Sequence, residues 1–264
     1  MLIHWDMKPE IFSVGPVTVR WYGLLFALGF IVGFRIMEKI FKREHRNLLH
    51  LDSLLIYLIL GTTIGARLGH CLFYEPELYL SNPLRILYIW EGGLASHGGT
   101  LGNLFAMYLF VRKYPEYGYL WLVDRLSIPV ALAASFIRLG NVMNSEILGL
   151  PTDQTWGVIF ERVDQVARHP AQVYESVSYF LTFLLMGFLY YKTDTSQYRG
   201  RMFGIFLICV FGARLVIEKF KENQVPFEAY LPLNMGQILS IPFIIAGVGL
   251  IVFSQSRRVQ TPSR

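Results

Sequence analysis

Charge is what this sequence has least of: Asp, Glu, Lys and Arg make up 16% of its 264 residues, against about 25% in a typical soluble protein. So few charges cannot coat an ordinary soluble domain, and 53% of the chain is hydrophobic. Cysteine is nearly absent. Cys71 and Cys209 lie far apart, each inside an apolar stretch, which excludes a disulfide framework and leaves two small buried hydrophobes. A disordered chain, a collagen and a coiled coil are excluded as well, because each needs an excess of charge or glycine. The first sixteen residues contain Asp6, Lys8, Pro9 and Glu10 and no sustained apolar run, so no cleaved signal peptide is read there. His4, His45, His50, His70, His97 and His169 show no ligand pair at helical spacing where the polar groups gather; neither a metal nor a cofactor is expected.

What is present is a series of apolar runs. Seven of them, near residues 17–38, 51–74, 94–111, 120–140, 171–191, 202–220 and 235–253, approach the roughly 20 residues that cross a hydrocarbon core as a helix. The expected fold is therefore an all-α polytopic membrane protein of about seven spans, forming a single integral domain over residues 1–264. Of the 24 basic residues, thirteen fall in loops on one side, seven on the other and four within spans. By the positive-inside rule the thirteen mark the cytoplasm, with the N-terminus outside and the C-terminus inside. The net charge of +5 is thus a topology signal rather than a nucleic-acid footprint, since the basic residues punctuate apolar runs instead of clustering on a polar face. Two external features follow: an amphipathic, aromatic arm at about 75–93, suited to the headgroup level, and an excursion at about 141–170. The polar stretch 255–264 is expected to fray.

Arg67, Arg138 and Arg214 fall within spans, where a central arginine costs about 2.5 to 3.5 kcal/mol on insertion scales. They must face a partner, a wet cavity or an anion. With the orientation above, all three lie in the outer halves of their spans, and Tyr22, His97, His169, Gln172 and Glu175 come to the same level. A functional cavity toward the outer leaflet explains that convergence; helix pairs that only fix packing are the alternative.

Arg214 and Glu218 are spaced i, i+4, so the carboxylate can orient the guanidinium. The run Arg138-Leu139-Gly140-Asn141-Val142-Met143-Asn144-Ser145-Glu146-Ile147-Leu148-Gly149 puts a cation, two amides and a carboxylate where a span leaves the membrane. An arginine fork holds phosphate oxygens bidentately, and Asn141 and Asn144 offer donors and acceptors to a polyol headgroup. The bland reading makes the two asparagines helix-ending caps. His97, followed by Gly98 and Gly99, is the natural proton acceptor near neutral pH.

These residues resemble the bacterial prolipoprotein diacylglyceryl transferases. The resemblance runs in order through nearly the whole chain: Trp21-Tyr22-Gly23, Gly65-Ala66-Arg67-Leu68-Gly69, Ser96-His97-Gly98-Gly99, the run from Arg138, Arg168-His169-Pro170, Gln172, Tyr174-Glu175, Arg214 with Glu218, and Met235-Gly236-Gln237-Ile238-Leu239-Ser240-Ile241-Pro242. Two positions depart: Val142 stands where the family commonly has phenylalanine, and Lys221 where it often has arginine. Lysine keeps the charge but loses the bidentate fork, so Lys221 is left out of the expected site.

The resemblance implies transfer of the diacylglyceryl group of phosphatidylglycerol to the lipobox cysteine thiol in a preprolipoprotein signal peptide. A thioether forms and glycerol 1-phosphate leaves, at the outer face of a bacterial plasma membrane. The expected catalytic residues are His97 as base, Arg138 and Arg214 on the phosphate, and Tyr22 as a hydrogen-bonding second choice. Arg138, Asn141, Asn144, Glu146, Gly149, Arg67 and Glu218 are expected to bind phosphatidylglycerol. The rival reading is a polytopic lipid or amphiphile transporter with an outward-facing polar cavity. Its charges should continue into the inner leaflet or repeat in two halves, and the sequence shows neither.

Overall fold

The computed structural model describes residues 2–15, 17–88, 92–222 and 232–254. The frayed tail expected at 255–264, and Trp90 in the expected arm, lie outside the described residues. Helix accounts for 71% of the described residues. A helix occupies each of the seven apolar runs: α1 (Trp21–Arg43), α2 (Leu48–Phe73), α4 (Ser96–Lys113), α5 (Tyr119–Asn144), α6 (Ala171–Lys192), α7 (Arg201–Ile217) and α8 (Met235–Ser254). Four of them, α2, α5, α6 and α8, are long and apolar enough to cross a membrane. Basic residues close α1 (Lys42, Arg43), α4 (Arg112, Lys113) and α6 (Lys192), where the negative end of the helix dipole favours them.

The chain divides into two compact units, one of residues Met1–Met37 with Val123–Arg264, the other of Glu38–Leu122. The smaller unit is organised by α2 against α4. Glycines permit the approach: a Cβ at Gly65 would stand 2.8 Å from the Gly102 Cα, and one at Gly69 would stand 2.7 Å from the Gly98 Cα. The crossing fixes the start of α4, and with it His97. The expected arm is built from α3 (Pro76–Ser81) and a 3-10 turn over Pro83–Leu87. Leu80, Leu84 and Leu87 of the arm are largely exposed.

The larger unit corrects the all-α expectation at two places. Residues assigned to the start of the first span form strand β3 (Val17–Arg20), paired antiparallel with β2 (Glu10–Val14). The alternating β-branched run Val17-Thr18-Val19 prefers a pleated backbone, so α1 begins at Trp21. The excursion is also folded: β4 (Val158–Phe160) lies between β1 (Ile3–Trp5), parallel to it, and β5 (Ala167–Arg168), antiparallel to it. Phe160 is fully buried with Val142 and Val158, and Trp5, Leu148 and Val173 pack against them. The Trp5 indole N–H donates at 3.1 Å to the Val142 carbonyl, which also accepts from the Ser145 N–H at 3.0 Å, so strand β1 is tied to the end of α5. Three strands too short to signal themselves in sequence thus brace the helix that carries the arginine-amide motif. At the far end of α5, the fully buried Asp124 accepts from the backbone N–H groups of Gly200 (2.6 Å) and Phe203 (2.8 Å), capping α7 with a carboxylate where the helix dipole is positive.

Candidate functional site

The last turns of α5 place the motif. Arg138 projects toward α6, where its Nε stands 2.9 Å from the Glu175 Oε2, and its Nη1 donates to the Asn141 Oδ1 at 3.1 Å. The Asn141 amide is thereby oriented to donate to the Glu146 Oε2 at 3.2 Å, and the Asn144 amide donates to Oε1 of the same carboxylate at 3.1 Å. Both asparagines thus do more than end a helix. The Asn144 Oδ1 is buried without a hydrogen bond among the described residues, an acceptor directed into this corner. The turn itself is strained, because Ser145 and the β-branched Ile147 both have positive φ (54° and 57°). Such backbone persists where surrounding contacts fix it. Here the Glu146 N–H donates to the Asn141 carbonyl, and the Gln172 side chain donates to the Glu146 carbonyl.

Tyr22 joins the same corner. A Cβ at Gly140 would stand 2.7 Å from the Tyr22 ring, so the glycine in the motif lets α1 close on α5. Arg138 and Glu146 are within electrostatic reach of its hydroxyl.

Glu175 and Glu218 carry the arrangement onward. Glu175, fully buried, accepts from the Lys221 Nζ at 3.1 Å through its other oxygen. That ammonium also donates to the Glu218 Oε1 at 3.0 Å, and the same oxygen accepts from the Arg214 Nε at 3.2 Å. The result is one alternating chain, Arg138, Glu175, Lys221, Glu218, Arg214, of three cations and two carboxylates. Neither carboxylate is left uncompensated in a setting where that would be expensive. The Arg214 side chain keeps 30% of its surface exposed and Arg138 keeps 17%. Beyond its bond to Glu218, the Arg214 guanidinium makes no further hydrogen bond among the described residues. Within that chain the cations outnumber the carboxylates by one, with Glu146 held one amide away through Asn141, and an open guanidinium fork is what an anion needs. A hollow of about 520 Å³ lies against Glu218 and Lys221, with Leu150 and Asn234 in its wall. A larger one of about 800 Å³, around Trp156 and His169, has Asp153 but no lysine or arginine in its lining.

Gly149 serves through its backbone: it bridges Lys221, and its carbonyl accepts from the Arg168 Nη1 at 3.2 Å. Arg168 is further held by Asp164 and Glu222. Its guanidinium keeps the half-buried Asp164 carboxyl below the usual carboxylate range.

Arg67 and His97 belong to the smaller unit. Arg67 is 2% exposed, and its donors go to the carbonyls of Ile86 (2.9 Å), Arg85 (2.6 Å), Gly92 and Gly93 (3.3 Å), with the guanidinium 4.9 Å from the Tyr79 ring centre. This arginine, expected at the phosphate, is bonded here to the carbonyls of the arm. His97 is exposed in the first turn of α4 and makes no hydrogen bond or ion pair among the described residues.

Sequence reasoning gave no role to Glu175 and set Lys221 aside. The signal for Glu175 was available: a carboxylate inside an apolar span demands a cation. Lys221 offered only its i, i+3 spacing from Glu218, and its bond to Glu175 spans 46 residues.

Residues 9–253 match the family model described as prolipoprotein diacylglyceryl transferase. A phosphatidylglycerol–prolipoprotein diacylglyceryl transferase of Tolumonas auensis is 51% identical over 259 residues, 98% of this chain and all of that protein. The proteins of that name from Chloroherpeton thalassium and Porphyromonas gingivalis are 49% and 44% identical, each over 98% of this chain and 96% of their own length. The chain that carries this alternating arginine-carboxylate arrangement and amide corner thus belongs to the prolipoprotein diacylglyceryl transferase family.

Proposed function

We propose that this protein transfers the diacylglyceryl group of phosphatidylglycerol to the lipobox cysteine thiol of preprolipoproteins, the first step of lipoprotein maturation. The observation that carries the reading is the surplus positive charge of Arg138 and Arg214, each tethered by a carboxylate beside an amide corner. In the reaction a carbon–sulfur bond forms at the glyceryl carbon and the carbon–oxygen bond to phosphate breaks. The thiol proton goes to a base, and the electron pair leaves with glycerol 1-phosphate. Arg138 and Arg214 stabilise the charge growing on the departing phosphate, the preorganised electrostatic term that dominates many enzymes. Asn141, Asn144 and Glu146 order the glycerol headgroup, with the buried Asn144 oxygen, which no described residue satisfies, as an acceptor for a hydroxyl. His97 is the base on sequence grounds, with Tyr22 as a second hydrogen-bonding group. Arg67 contributes through the arm. The seven helices all span a bacterial plasma membrane, N-terminus outside and C-terminus in the cytoplasm, with the site toward the outer leaflet.

The test is direct. Purified protein is incubated with phosphatidylglycerol and a lipobox peptide, and the peptide is weighed by mass spectrometry. A gain of one diacylglyceryl group, blocked when the peptide cysteine is replaced by serine, is the expected outcome. No gain across anionic lipids and varied peptides sinks the transferase reading and leaves the transporter.

A further inference from the structure

We propose that Lys221 is a positioning residue, one that sets the aim and separation of the two arginine forks without touching the lipid. This rests on the reading of Arg138 and Arg214 as the phosphate site. Three observations carry it. First, Lys221 is 6% exposed, and its ammonium is the only described link between the carboxylate that holds Arg138 and the one that holds Arg214. Two of its three protons are used on those carboxylates, so little of it remains for a phosphate. Second, its backbone is sewn to the segment after the amide corner: Gly149 and Lys221 pair as a β-bridge, the Leu150 N–H donates to the Phe220 carbonyl at 2.8 Å, and the Glu222 N–H donates to the Leu148 carbonyl at 3.3 Å. One residue therefore joins the end of α5, α6 and the end of α7. Third, the charge balance depends on it. Without the ammonium, two buried carboxylates face two arginines with no surplus cation, and each guanidinium is drawn onto its carboxylate and away from an incoming anion. A lysine suits this place because a compact point charge reaches two carboxylates from one atom.

The experiment compares wild type, Lys221→Met, Lys221→Arg and Lys221→Met/Glu175→Gln, each checked for folding by thermal melt. Two measurements are made. One is kcat and KM for phosphatidylglycerol in the peptide-transfer assay. The other is a ³¹P NMR titration with dihexanoyl phosphatidylglycerol. A misplaced fork costs about 100-fold in rate. Lys221→Met should therefore lose about that much in kcat while KM changes less than threefold. It should also shrink the ³¹P shift that wild type induces on the bound phosphate. Lys221→Arg should recover both readouts to within about threefold, and the double variant, which restores the charge balance, should recover at least tenfold over Lys221→Met. The assignment is overturned if folded Lys221→Met turns over within threefold of wild type, or if its ³¹P shift matches wild type. It is overturned equally if folded Lys221→Arg is as defective as Lys221→Met. Should Lys221→Met fail to fold, Lys221→Arg and the double variant decide by the same readouts. A wild type that binds the lipid but does not transfer would sink the transferase reading, while the ³¹P comparison still judges the clamp.

Discussion

Two kinds of arginine sit in the apolar helices of this protein, and their surroundings separate their jobs. Arg67 in α2 is 2% exposed and surrounded by neutral backbone carbonyls, four of which accept from it. Its charge is spent on main-chain acceptors of the arm. Arg138 and Arg214 are tethered mainly by carboxylates and keep part of their guanidinium surface open. A guanidinium saturated by carbonyls is a fastener; one aimed by a carboxylate with donors to spare can bind. Residue type is the same in both cases and each sits in an apolar helix, so the acceptors make the distinction.

Substitution breaks the comparison most sharply at the open arginines. Arg214→Ala or Arg138→Ala should lower kcat by about 1,000-fold, the scale of losing a charge-stabilising donor, while Lys221, still paired with the carboxylate left behind, limits the loss of stability. Arg67→Met should do the reverse. Its carbonyl partners lose a charged donor, at about 3 kcal/mol of stability, and limited proteolysis should cut the arm over 83–88 faster, with residual folded enzyme still turning over. If Arg67→Met abolished turnover without loosening the arm, the division between fastener and binder would fall. His97→Gln tests the exposed, unpaired histidine. It should lower kcat by about 100-fold, with a flatter pH–rate profile and little change in lipid binding. A loss seen only at subsaturating lipid, or an unchanged pH–rate profile, would remove His97 as the base.

A smaller effect belongs to Arg168, the arginine saturated by carboxylates. Because Arg168 lowers the Asp164 pKa, the pair stabilises the fold above the ordinary carboxylate range, and that contribution fades as pH falls through the depressed value. The melting-temperature gap between wild type and Asp164→Asn should therefore be present at pH 7 and close in acid. The smallest effect is expected at Cys71 and Cys209. The attacking sulfur belongs to the substrate, so Cys71→Ser/Cys209→Ser should retain transfer, and loss of all activity in the folded double variant would defeat the mechanism.

Much of this was legible without coordinates. The seven apolar runs announced their helices to within a few residues, because one membrane-length period of hydrophobicity is a strong local signal. The pairing of Arg214 with Glu218 followed from helical spacing alone. The hairpin at 10–20 and the strands at 3–5 and 158–160 were missed. They are three to five residues long, and two of them pair across more than 150 residues, where no local period reports them. The partners of Arg67 were illegible for a similar reason: they are main-chain carbonyls, which every sequence contains and none advertises.

The sequence by itself determined that charge is scarce, that the few charges within apolar runs need partners, and that an arginine, two amides and a carboxylate share one helix end. Those are matters of composition and of neighbours within a turn or two. Only the tertiary structure decided which acceptor each buried cation met, and so which arginines are open to an anion. It also made Lys221 the link between Glu175 and Glu218. The reason is geometric. A charge in a poorly hydrated interior is governed by the few atoms within about 3 Å, and folding alone brings those atoms together from distant parts of the chain.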